Sequence, residues 1–124
     1  MAGLVYTAVK GLVQDQGKGL RIETVDATCA SNAATANGTS GVISLEAATV
    51  ADGELGTTQT ISNERVTSTS MILLDVDENG HGTKAGPVPV LQAVTDGQFT
   101  FKLGNCHGSA NVTAGQVKIS YLVL

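Results

Sequence analysis

Val117-Lys118-Ile119-Ser120-Tyr121-Leu122-Val123-Leu124 decides the fold of this chain. Positions 117, 119, 121 and 123 are all apolar, the alternation of a strand with one buried face. Leu122 and Leu124 then make the second face apolar as well. A strand that is apolar on both faces needs cover on both sides, from its own core on one and from another layer or subunit on the other. The expectation is a β-domain that closes its sheet with this strand and assembles with copies of itself.

Working outward, a second strand of the same kind lies over residues 66–76. Its even face, Val66, Ile72, Leu74 and Val76, is predicted to meet the core, while Met71 and Leu73 make the middle of the odd face apolar. At about 3.3 Å per residue it spans on the order of 36 Å. Gln98-Phe99-Thr100-Phe101-Lys102-Leu103 alternates with its three large residues inward, after a turn at Asp96-Gly97. Pro87-Val88-Pro89-Val90-Leu91 has two prolines two apart, so one row lacks N–H donors and an edge strand is expected. Shorter strands are predicted over 4–9, 20–25, 41–45 and 57–61, and turns at Asp52-Gly53 and over 77–82. Residues 26–40 hold mostly Ala and small polar residues. They predict a long loop or thin extended segment that packs only against a partner. Short strands separated by Gly and Asn turns, with no helical periodicity, indicate an all-β fold: an antiparallel sandwich, jelly-roll-like, with an extended N-terminal segment. The division expected is an arm and small-residue loop over 1–40 and the sandwich over 41–124, together one structural unit.

Composition narrows the function. At 124 residues a single domain is expected, with 42% apolar and only 15% charged residues. So little charge is unusual for a free monomer and suits a surface that becomes covered. The net charge is −4 and the seven Lys and Arg are scattered, without the basic stripe that nucleic-acid binding needs. No run of eighteen apolar residues offers a membrane-spanning helix. The first residues lack a basic region followed by an apolar core, so synthesis in the cytosol is expected, with release by lysis or within an assembled particle.

Motifs for chemistry are sparse. No Ser sits in a G-x-S-x-G elbow, and His81 and His107 lie in Gly-rich loops without a nucleophile and carboxylate arranged as a unit. Exposed loop histidines are expected, and no enzyme. Asp75, Asp77 and Asn79 before Gly80 match the first half of a calcium loop, in which alternate oxygen ligands converge once the glycine turns the chain. The twelfth position is Gly86 where a bidentate Glu belongs, so a solvated acidic turn is the stronger reading and no cofactor is expected. Cys29 and Cys106 are expected as two free, half-buried thiols in a reducing compartment, with a disulfide joining loop to sheet as the alternative. Cys106-His107 is adjacent, but only one other Cys and one other His exist and the ligands lack the spacing of a structural zinc site, so none is expected.

The order of features from about Gly41 onward resembles the β-sandwich modules of tailed-bacteriophage particle proteins. Those modules recur in capsid decoration (cement) proteins and in fibre or spike tips. The likeness rests on Val66-Thr67-Ser68-Thr69-Ser70-Met71-Ile72-Leu73-Leu74, the Pro-Val-Pro-Val segment, Asp96-Gly97-Gln98-Phe99-Thr100-Phe101 and the apolar last strand. The resemblance implies a homotrimer on a virion capsid, with the major capsid protein as partner. Met71, Leu73, Leu122 and Leu124 are the candidate interface residues. The alternatives are a receptor-binding tip or another tail or fibre subunit, and a carbohydrate-binding module. The first would need a long stalk and the second an aromatic platform, and this chain has neither heptads nor more than four aromatic residues.

Overall fold

In a computed structural model, the structure describes residues 23–80, 86–107 and 110–124, together with the backbone of two short strands near the N-terminus. Among the described residues, twelve strands follow in chain order. They are β1 (Tyr6–Thr7), β2 (Gly11–Leu12), β3 (Ala27–Thr28), β4 (Ala33–Thr35), β5 (Ser40–Ser44) and β6 (Thr49–Val50). Then come β7 (Gln59–Ser62), β8 (Ile72–Asn79), β9 (Pro87–Thr95), β10 (Gln98–Asn105), β11 (Val112–Thr113) and β12 (Val117–Val123). A 3₁₀ turn, Ala114–Gln116, leads into β12.

The chain is all-β. Two four-stranded sheets, β4-β7-β10-β9 and β3-β5-β12-β8, form the sandwich. β6 and β11 make a small antiparallel ribbon beside them, and β1 pairs with β2. Strands β5, β7, β8 and β9 alternate between the two sheets, whereas β9 and β10 form a hairpin within one. That hairpin turns at Asp96-Gly97, where Gly97 has φ +83°, a left-handed conformation that favours glycine.

The core lies where the alternation placed it. Val117, Ile119, Tyr121 and Val123 of β12 are buried, as are Phe99, Phe101 and Leu103 of β10. Phe99 bridges the sheets, its ring centroid 6.1 Å from that of Tyr121 and 6.5 Å from that of Phe101. Centroid separations of this kind add attraction beyond buried area. The Tyr121 hydroxyl donates to the Val25 carbonyl at 2.7 Å, and burial followed by the charges of Asp26 and Glu23 raises its pKa. The proline strand β9 is an edge, as its missing donors require.

Three expectations change. The long strand begins at Ile72, not Val66. Val66 is buried, but in a turn: its N–H donates to the Asn63 carbonyl and its carbonyl accepts from Gly97 N–H. Thr67 to Ser70 then fold on themselves, with Ser70 N–H on the Thr67 carbonyl and Ser70 Oγ accepting from Thr67 N–H. Ser68 N–H is held by Asp96 Oδ1 at 2.7 Å. Hydroxyls that bond the local backbone compete with the ladder, and here they win.

At its other end the strand runs through Asn79, so Asp77, Glu78 and Asn79, expected in an acidic turn over 77–82, are strand. Glu78 faces Lys118 in register, and Asp77 is the extra residue of a bulge opposite the Lys118/Ile119 step.

The small-residue segment 26–40 is the largest correction. It does not wait for a partner, and the sandwich does not begin at residue 41. β3 adds to β5 and β4 to β7, both in parallel, one on each sheet, so the sheets are mixed and not purely antiparallel. A two-residue turn carries the chain from one sheet to the other, with Ala30 and Ala33 exchanging both backbone bonds and Ser31 and Asn32 at φ +51° and +62°. β3 and β4 thereby close one side of the sandwich, while β8 and β9 run beside each other on the other side. The anchoring is by main-chain pairing, which needs no large side chain. Residues 1–5, 8–10 and 13–22 of the expected arm lie outside the described residues, as does His81.

Candidate interaction face

The outer face of the β3-β5-β12-β8 sheet gathers the four residues expected at an interface. Leu73 lies directly opposite Leu122. Met71 and Leu124 extend the ladder by one pair, exchanging both backbone hydrogen bonds at 3.1 and 2.9 Å. Since Ile72 and Val123, the pair between them, are buried, all four side chains fall on the opposite side. The result is two adjacent cross-strand pairs forming one apolar patch. Met71 is 59% exposed, Leu73 48% and Leu124 64%, while Leu122 is half-buried among them. Cross-strand neighbours of this kind are the unit in which a sheet face packs.

Chemistry changes along this face. Past the apolar pairs, Ser40, Asp75 and Ser120 border a shallow depression with Leu73 and Leu122. Beyond them Asp26, Thr28, Ser44, Asp77 and Lys118 line a second one. Lys118 Nζ lies 2.8 Å from Glu78 Oε2, and this hydrogen bond and charge raise the Lys118 pKa. Among the described residues, one end of the sheet is therefore apolar and the other carries a majority of carboxylates around the Lys118 ammonium.

The calcium-loop residues are not brought together. Asp75 pairs in register with Ser120 on the outer face, whereas Asn79, beyond the bulge, sits opposite the buried Val117. All three positions lie in the extended strand β8. Among the described residues, no group of three His, Cys, Asp or Glu side chains is placed to hold a metal ion. Both cysteines are free: Cys29 is buried and Cys106 exposed, where two half-buried thiols were expected. Burial, helped by the Glu46 charge, pushes the Cys29 thiol up to about 11. His107 is half-buried and not an exposed loop residue; its backbone N–H donates to Asn105 Oδ1 at 3.0 Å.

Several structurally important polar residues carried no signal in the sequence. Asn63 is buried between three loops: its Nδ2 donates to the Gly38 carbonyl, its Oδ1 accepts from Arg65 N–H and its own N–H donates to the Gly97 carbonyl. Asn105 does the same at the far end of β10, donating to the carbonyls of Val50 and Ala110. Glu46 clamps the Ser31-Asn32 turn, Oε1 accepting from Ser31 N–H at 2.7 Å and Oε2 from Asn32 N–H at 3.1 Å. Such residues satisfy backbone groups distant in sequence, so no local pattern reveals them.

Comparison of the chain with family models, with curated proteins and with solved structures finds no match.

Proposed function

We propose that this chain is a non-enzymatic structural subunit of a tailed-bacteriophage particle: a capsid decoration protein that assembles as a homotrimer on the shell. One observation supports it above the others. The exposed Met71, Leu73 and Leu124 lie together with the half-buried Leu122 as cross-strand pairs on one sheet face, which is where an assembling sandwich needs apolar surface. The low charge of the chain agrees with a surface meant to be covered. In this reading the partners are further copies of the chain and the major capsid protein, at the virion surface. The work is mechanical: each subunit adds buried interface to a shell strained by packaged DNA, and a permanent interface of this kind buries roughly 2,000–5,000 Å².

Light scattering at micromolar concentration is expected to give the mass of a trimer, and sedimentation with purified shells a fixed ratio of trimers to capsid subunits. A clean monomer refutes the assembly. A trimer that ignores shells but binds at a tail or fibre moves the protein to that part of the particle.

A further inference from the structure

The sequence of the N-terminal hairpin is as apolar as the patch, and chain connectivity brings the two within reach. β1 and β2 pair antiparallel, Tyr6 with Leu12 and Thr7 with Gly11. A two-stranded hairpin is marginal in water unless it packs on another surface. Of residues 4–13 only Thr7, Lys10 and Gly11 are not apolar, so this hairpin has much to bury.

The chain enters the sandwich at the apolar end of the sheet face. Thr24 bridges to Ser40, Ser40 pairs with Leu122 and Leu122 with Leu73, so the four form one row across the sheet. With strands about 4.8 Å apart, Thr24 stands about 10 Å from Leu122 and about 14 Å from Leu73. Glu23 is fixed at that edge: its carbonyl accepts from Ser40 N–H and from Ser40 Oγ, and its carboxylate pairs with Arg65. Residues 14–22 extend to at most about 30 Å, enough to carry the hairpin from this edge onto an adjoining subunit. Charge favours the same contact. Lys10, Lys18 and Arg21 lie in residues 1–22 against one acid, Asp15, whereas Asp75 borders the patch and Asp26 and Asp77 lie further along the face.

We infer that the apolar patch of each subunit receives the N-terminal hairpin, residues 4–13, of a neighbouring copy. The inference rests on the assembly reading and names what covers the patch. Met71, Leu73 and Leu124 stay exposed within one chain, so their cover comes from another. A patch packed on its own copy makes a twofold dimer and sets Asp75 facing its like. A closed ring of three needs two different surfaces on each subunit, and the hairpin is the second.

The test uses the full chain with Leu73→p-benzoylphenylalanine, which keeps the patch apolar. Subunits labelled with ¹⁵N and unlabelled subunits are mixed in urea, refolded together and irradiated, and the cross-linked peptides are read by mass spectrometry. Adducts to residues 4–13 are expected, in mixed-isotope pairs as often as in single-isotope ones. Deleting residues 1–13 should convert the trimer to a monomer by light scattering with the urea midpoint of the monomer retained. Leu12→Asp in the full chain should raise the dissociation constant about tenfold or more, and decides the matter if the deletion does not fold. A trimer unaffected by these changes, adducts confined to single-isotope pairs, or adducts outside residues 4–13 overturn the role of the hairpin and leave the assembly standing. A monomeric full chain overturns both.

Discussion

Replacing Leu73 by Asp separates assembly from folding. Fully burying a Leu or Met side chain contributes roughly 1.5–3 kcal/mol. Met71, Leu73 and Leu124 still have 59%, 48% and 64% of their surface to lose. Each can therefore add about 1–1.5 kcal/mol on association, or about 3–4 kcal/mol per protomer for the three. An Asp at position 73 forfeits its own share and brings a carboxylate whose desolvation costs several kcal/mol. Asp75, two residues along the same face, adds repulsion. A net loss of at least about 3 kcal/mol per interface corresponds to a dissociation constant raised by roughly 10² or more. The isolated subunit should hardly notice, because the position is on the surface and strand preference spans only about 1 kcal/mol. Sedimentation equilibrium over a range of concentrations measures the first effect, and urea denaturation of the dissociated protein the second. Leu73→Thr, which introduces a β-branched side chain suited to a strand and carries no charge, should fall between. An Asp variant that assembles with the concentration dependence of the wild type would place the interface elsewhere and refute the role of the patch.

Further outcomes test the fold. Phe99→Ala removes the ring that spans both sheets and should cost about 3–5 kcal/mol in chemical denaturation; a loss under about 1 kcal/mol contradicts the packing. Glu46→Ala strips the acceptors from two backbone N–H groups in a turn of non-glycine left-handed residues, and a destabilisation of about 1–3 kcal/mol is expected, partly recovered by adding Ser31→Gly. At pH 8 Ellman's reagent should modify Cys106 at once and Cys29 only as fast as the protein opens, so two rapid equivalents would contradict the burial. Folding favours the neutral Cys29 thiol, so the stability this gives is complete below about pH 9 and is lost as the pH rises towards 11. A Cys29→Ala variant should lack that part of the alkaline decline.

The sequence by itself determined the β class, the inward rows of β10 and β12, the Asp96-Gly97 hairpin and the edge position of the Pro-Val-Pro-Val strand. In each case the cause is local: side-chain period, a glycine that tolerates positive φ, or a missing N–H. It also marked Met71, Leu73, Leu122 and Leu124 as surplus apolar residues, because a period of two exposes any residue that breaks the polar alternation. Tertiary structure decided what depends on partners far along the chain. Pairing register put those four residues side by side, and the bulge at Asp77 parted Asn79 from Asp75. Main-chain bonds to β5 and β7 turned a segment of small residues into two closing strands, an event to which hydropathy is blind. The buried amides of Asn63 and Asn105 found their partners the same way, for whether an amide is satisfied is settled by the folded surroundings and not by its neighbours in sequence.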